Sequence, residues 1–190
     1  MTAVDLVPGG RTRNRLVNGG DVVIVVVVLA IAWGLKRFYS NAGFDDLLWI
    51  LSPTRRLVES LSGSAFELES GQGYLSRDRL YQIVPACAGV NFMIAAFASL
   101  ALGLAHTRAT LGGRMGLLTA SALAAYAVTV LANGTRLALA IRLHESGAAF
   151  GPLTPARLHC ALGVAVYLTF LVALFALGAR VTGARRELAL

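Results

Sequence analysis

Residues 158–177 read LHCALGVAVYLTFLVALFAL, and this stretch contains no Asp, Glu, Lys or Arg. A helix needs about 20 mostly apolar residues to cross the hydrocarbon of a bilayer. The stretch meets that length without help from its flanks. It therefore predicts a transmembrane helix and an integral membrane protein.

Three further apolar blocks come earlier in the chain, at 22–35, 92–105 and 115–131. The block at 115–131 reaches spanning length if its helix continues to about Thr135, and the first two reach it with their flanks. The composition agrees, because 56% of the residues are hydrophobic and 14% are charged, whereas soluble domains carry about 25% charged residues. The sequence predicts an all-α membrane fold, a bundle of about four transmembrane helices in one domain.

The distribution of basic residues predicts the orientation of the chain. Four spans place both termini on one side of the membrane, and the positive-inside rule makes that side cytoplasmic. We expect a cytoplasmic basic leader at 1–20, a single transmembrane domain at 21–180 and a cytoplasmic basic tail at 181–190. Lys36 and Arg37 oppose this orientation, but they also replace the small residues of a signal-peptide cleavage site, so the first block is a retained span. The supporting residues are Arg11, Arg13, Arg15, Arg108, Arg114, Arg180, Arg185 and Arg186.

The formal net charge of +7 raises the question of nucleic-acid binding. The basic residues are dispersed and flank apolar blocks, which is typical of membrane proteins. We therefore expect membrane lipids as partners and no nucleic acid. The two cysteines, Cys87 and Cys160, lie in neither a C-x-x-C nor a zinc-ligand spacing, and a single bridge between them stays open.

The segment at 40–84 is predicted to lie outside the cytoplasm and to have structure of its own. Apolar residues recur between 44 and 61 with an interruption at Pro53, which predicts an interfacial or re-entrant helix at the lipid headgroups. Residues 66–69 alternate like a strand, 71–73 supply a turn, and an apolar run resumes at 80–84. This pattern predicts a small hairpin over the membrane face.

Cys87 is the first candidate for chemistry. Pro85 favours the first position of a helix, which places Cys87 in the first turn of the second span, at its outer end. The positive end of the helix dipole favours an anion, and a thiolate is the nucleophilic form of cysteine. The alternative is a small buried cysteine, which is common in proteins.

Arg136 and His159 are predicted at the same level as Cys87. Arg136 follows a third span that ends near Thr135, and Pro155, capped by Thr154, opens a fourth span with His159 about one turn inside. An arginine beside the bilayer is a functional candidate, and a histidine near neutrality is a general acid or base. The alternatives are a snorkelling anchor for Arg136 and a polar interface residue for His159. Cys160 is predicted to serve in packing, and His144 and His106 are predicted to lie in loops.

The helix directions bring these candidates together. The second and fourth spans enter from outside and carry Cys87 and His159 at their entrances, while the third span leaves there and carries Arg136 at its exit. A cysteine, an arginine and a histidine therefore converge on one membrane face.

The sequence at this point resembles the exosortase/archaeosortase family of membrane cysteine transpeptidases. The matching pieces are ACAG at 86–89, NGTR at 133–136 and HCALG at 159–163, each beside an apolar block and in the family's order. The short length is similar to the exosortase K type. Many members have a serine after the cysteine, where this chain has Ala88. The resemblance covers about residues 80–180 and would make 21–180 an exosortase-like domain.

The resemblance implies a sorting reaction at the outer face of the bacterial cytoplasmic membrane. Its substrates would be proteins with a C-terminal recognition motif, a transmembrane helix and a basic tail. Cys87 would form a thioester, His159 would act as general acid and base, and Arg136 would stabilise the oxyanion or the thiolate. Asn133 would orient Arg136. No metal or organic cofactor is implied.

Three other functions compete with this interpretation. A small transporter or channel subunit would use Arg136 and His159 to line a polar path, although no repeat or broken helix pair is evident. A non-catalytic membrane assembly factor would use its outer segment to bind a partner. A haem protein would use His144 and His159 as axial ligands.

Overall fold

The computed structural model describes residues 19–69, 71, 73–78, 80–105, 110–147 and 155–187. The predicted leader lies outside this range except for its last two residues, which begin the first helix, and the predicted tail is helical as far as Glu187. Arg108, His106 and Thr154 also lie outside the described residues. The described helices are α1 Gly19–Tyr39, α2 Leu48–Ser62, α3 Val90–Leu104, α4 Leu111–Glu145 and α5 Pro155–Glu187.

Among the described residues, four helices are long and apolar enough to cross a membrane: Gly19–Tyr39, Pro85–Leu104, Leu111–Glu145 and Arg157–Arg180. These are the four blocks from which spans were predicted, and the chain is mostly helical as expected. Large apolar side chains such as Trp33 on α1 and Phe175 on α5 remain exposed. Apolar surfaces of this kind are typical of helices whose outer faces meet lipid.

The third span is longer than predicted. Helix α4 has 35 residues, which corresponds to about 52 Å of helix, whereas the hydrocarbon of a bilayer is about 30 Å thick. The prediction that this helix ends near Arg136 is wrong, and His144 lies in its last turn rather than in a loop. The helix continues beyond Arg136 because protein covers its C-terminal part, with Leu137 and Ile141 buried.

Helix α2 covers the C-terminal part of α4. Leu57 lies against Gly134, where a Cβ would come within 2.5 Å of Leu57 Cδ2, and Arg142 Nη2 donates to the carbonyl of Leu61 at 3.3 Å. Successive turns of α2 therefore meet successive turns of α4, so the two helices run side by side in the same direction. The helix predicted in this segment is present as α2, and its buried face packs along α4.

Helix α2 also continues through Pro53, where an interruption was predicted. Proline lacks an N–H, which leaves the carbonyl four residues earlier without its helical partner. That carbonyl belongs to Trp49, and it accepts a hydrogen bond from Tyr126 Oη of α4 at 2.9 Å. The rings of Trp49 and Tyr126 also stack, with centroids 5.8 Å apart. A contact from the neighbouring helix thus replaces the bond that the proline removes.

We expect Tyr126→Phe to destabilise the chain by about 1 kcal/mol, because the Trp49 carbonyl loses the donor that replaces the N–H missing at Pro53. Pro53→Ala returns a backbone N–H to this carbonyl, so Tyr126→Phe should cost less in the Pro53→Ala background. Unfolding by SDS titration from mixed micelles measures all four free energies of the cycle. Equal costs in the two backgrounds would show that the Tyr126 hydroxyl does not substitute for the missing N–H.

The predicted hairpin is present and belongs to a three-stranded antiparallel sheet of order β1-β2-β3. Its strands are β1 Phe66–Glu69, β2 Gly73–Ser76 and β3 Gln82–Ile83. In the turn after β2, hydrogen bonds from the Ser76 hydroxyl and from the backbone N–H of Leu80 hold the pKa of the Asp78 carboxyl below its usual value. The sheet is small beside the helices, so the fold is mostly helical as predicted, and β3 leads directly into the segment that carries Cys87.

Candidate active site

Cys87 lies at the end of a short 3₁₀ helix, Pro85–Cys87, which forms the first turn of the span Pro85–Leu104, as predicted, and precedes α3. Gly89 separates the two helices because its φ of +70° is left-handed, a conformation that glycine adopts without strain. A Cβ at Gly89 would lie 3.2 Å from Cγ of Asn133. The glycine therefore lets the Cys87 turn approach α4 closely, and the half-buried thiol still lies at the positive end of α3.

Asn133 is the centre of the site. It is fully buried on α4, and its Nδ2 donates to the carbonyl oxygen of Cys87. Its Oδ1 accepts from Arg136 Nη2 at 3.2 Å, from Arg136 Nε at 3.3 Å and from Tyr167 Oη at 2.9 Å. A guanidinium can only donate, so Oδ1 must face Arg136 and Nδ2 must face Cys87. One side chain thus connects the Cys87 turn to α4 and α5.

Arg136 links this centre to His159. Its Nη1 lies 3.2 Å from Nε2 of His159. Because arginine only donates, Nε2 accepts in this contact when the imidazole carries its proton on Nδ1. Gly163, one turn after His159 on α5, lies beside Arg136, and a Cβ there would make an ordinary van der Waals contact of 3.5 Å with Arg136 Cδ.

The charge of Arg136 has no carboxylate partner in the described parts of the chain, where the ion pairs are Arg55–Glu59, Arg77–Glu67 and Arg114–Asp21. Neutral acceptors and the ring of Tyr167, whose centroid lies 5.5 Å from the guanidinium carbon, surround it instead. A guanidinium without a carboxylate partner attracts an anion or a carbonyl oxygen that is becoming negative.

The structure therefore brings the predicted residues into one connected cluster. Its hydrogen bonds run from the Cys87 carbonyl through Asn133 and Arg136 to His159. Within the described residues, no hydrogen bond joins the Cys87 thiol directly to the His159 imidazole, so the two are connected only through the other two side chains.

Two tyrosines of the site were missed in the sequence. Tyr167 bonds to Asn133, and Tyr39 Oη donates to the carbonyl of Pro85 at 3.4 Å. Both hydroxyl groups lie within electrostatic range of Cys87. A signal for Tyr167 was available, because His159, Gly163 and Tyr167 follow at intervals of four and share one face of α5. Tyr39 has no such signal, because it comes from the distant end of α1.

The remaining candidates lie apart from this cluster. His144 packs edge-on against the ring of Tyr81, with centroids 5.8 Å apart. It therefore lies away from the cluster that contains His159. Cys160 is exposed on α5, which contradicts the prediction that it packs, and both cysteines are free thiols. The described residues contain no group of three or more His, Cys, Asp and Glu side chains that could hold a metal ion.

The fold and this cluster are typical of a multi-pass membrane protein with a polar, cysteine-containing site where three helices meet. Comparisons with protein-family models, with curated proteins and with solved structures give no match to the chain.

Proposed function

We propose that the chain is a membrane-embedded cysteine transpeptidase or protease of the exosortase/archaeosortase type. The observation that carries the proposal is the hydrogen-bonded series from the Cys87 turn through Asn133 and Arg136 to His159. It joins a nucleophile, a cation and a proton carrier that are far apart in sequence. Acyl transfer through a covalent intermediate needs these three functions at one place.

In the proposed reaction, Cys87 Sγ attacks the carbonyl carbon of the substrate and His159 accepts the thiol proton. The C–N bond then breaks, His159 returns the proton to the leaving amine, and a thioester remains on Cys87. An amine or a water molecule next attacks the thioester and releases the free thiol. Arg136 lowers the barrier by stabilising the oxyanion of each tetrahedral intermediate.

The contact between Arg136 and His159 has to open during this reaction. The lone pair on Nε2 of His159 accepts a hydrogen bond from Arg136, and the same lone pair would take the proton from Cys87. When the substrate carbonyl binds, its oxygen competes for the guanidinium, and Nε2 becomes free to act as a base. Substrate binding would thus activate the nucleophile.

The position of the cluster along α4 supports a reaction at a membrane boundary. Measured from Arg114, about 20 residues or 30 Å of helix cross the hydrocarbon and end near Gly134. Arg136 then lies at the far boundary. We assign this boundary to the outer face of a bacterial cytoplasmic membrane, with both termini in the cytoplasm. The substrates are proteins with a C-terminal motif, a transmembrane helix and a basic tail.

A processing assay in vesicles that contain the full chain tests both the reaction and its side. Two substrates carry the same motif and transmembrane helix, but one displays the motif outside and the other inside. We expect cleavage of the first alone and none in vesicles without the chain. Cleavage of the second alone would overturn the orientation. If a panel of such substrates is left intact, the sorting function is wrong and an assembly factor becomes the better account.

A further inference from the structure

Tyr167 connects all three elements that build the site. Its ring stacks on Phe92 of α3, with centroids 4.8 Å apart and an interplanar angle of 15°. Tyr167 also contacts α4, because its hydroxyl donates to Asn133 and its ring lies against the guanidinium of Arg136. Tyr167 itself belongs to α5, two turns after His159.

The hydroxyl of Tyr167 bonds to Asn133, the side chain that connects Arg136 to the Cys87 turn. Asn133 Oδ1 has three donors, and two of them come from Arg136. The bond from Tyr167 fixes Oδ1 from the α5 side, so the amide plane cannot turn without losing it. Because the same amide donates to the Cys87 carbonyl, the orientation of Asn133 decides how Arg136 lies relative to the Cys87 turn.

We propose that Tyr167 is a positioning residue, which holds Asn133 and, through it, Arg136 in the arrangement that activates Cys87. The expected effect of Tyr167 on turnover rests on the proposed function, whereas its expected effect on the reactivity of the Cys87 thiol does not. Arg136 is connected to the Cys87 turn through Asn133, which bonds to both, so loss of the Tyr167 bond should change where the guanidinium lies relative to Cys87 and thereby slow the reaction of its thiol.

Alkylation of Cys87 by iodoacetamide between pH 6 and pH 9 tests the inference on the full chain in vesicles. Cys160→Ala leaves one thiol to follow. Tyr167→Phe removes the hydroxyl but keeps the ring against Phe92 and Arg136, and Asn133 Oδ1 keeps its bonds from Arg136. We expect alkylation at neutral pH to slow by about threefold to tenfold, the range that one hydrogen bond supplies.

Tyr126→Phe is the matched control, because it also removes a tyrosine hydroxyl that supports a helix contact, but away from the site. It should alkylate at the wild-type rate. In the processing assay, Tyr167→Phe should lower kcat by about tenfold and leave KM unchanged. Tyr167→Leu, which also removes the ring, should lower kcat further.

The outcomes separate this inference from the proposed function. If Tyr167→Phe loses stability but alkylates across the pH range like wild type, Tyr167 is only structural and the inference is overturned. If the wild-type chain cleaves no sorting substrate while Tyr167→Phe still slows alkylation, the sorting function fails and the positioning role stands.

Discussion

Cys87→Ala should abolish processing, with a loss of about 10³-fold or more, because removing a covalent nucleophile leaves only binding and oxyanion stabilisation. The variant should still fold, since the Cys87 side chain is half-buried and the hydrogen bond to Asn133 uses its backbone carbonyl. Initial rates of cleavage at saturating substrate measure the loss, and the unfolding free energy in SDS checks the fold.

Cys160→Ala is the matched control for this substitution. It removes the other cysteine, which is exposed one residue after His159. It therefore measures the effect of losing a thiol that has no role in the proposed reaction. We expect it to process substrate at the wild-type rate. Full processing by Cys87→Ala would contradict the covalent mechanism, and loss of processing in both variants would show that the assay reports on the fold of the outer region.

Arg136→Gln should lower kcat/KM by about 10²–10³-fold, the loss typical of removing one preorganised group that stabilises an oxyanion. Arg136→Lys should also be strongly impaired although it keeps the charge. A lysine cannot donate in a fork to Asn133 and at the same time reach His159. The processing assay under subsaturating substrate gives kcat/KM for both variants.

Arg142→Gln serves as the control for Arg136, because Arg142 lies on the same helix and donates to the carbonyl of Leu61 outside the site. We expect it to keep kcat/KM within about twofold, as for surface substitutions with small effects. If Arg136→Gln processed as well as Arg142→Gln, Arg136 would be a helix anchor, the snorkelling role that its sequence position also allows.

The sequence predicted the spans and the site more completely than it predicted the outer segment. Long apolar blocks are a local property, so the helices at 158–177 and at the three earlier blocks were recognisable without tertiary information. The convergence of Cys87, Arg136 and His159 followed from the alternating directions of these helices. The strand at 66–69 was visible in its alternation.

The errors arose where tertiary contacts override local signals. Pro53 does not end α2, because Tyr126 of another helix supplies the missing hydrogen bond. Helix α4 does not end near Thr135, because α2 covers its C-terminal part. The four-residue spacing from His159 places Tyr167 on the site's face of α5, but its contacts with Asn133 and Phe92 involve two other helices and could not be predicted. In each case the contacting residue is distant in sequence, so the residues that flank Pro53, the end of α4 or Tyr167 do not identify it.

Capture of the acyl-enzyme tests the covalent mechanism most directly. The wild-type chain is mixed with substrate, and the reaction is quenched in acid within one turnover. The protein is then digested, and the mass of the peptide that contains Cys87 is measured by mass spectrometry. We predict an adduct equal to the N-terminal part of the cleaved substrate, attached at Cys87 and removed by neutral hydroxylamine. Substrate cleavage without an adduct at Cys87, or with an adduct at another residue, would contradict the account.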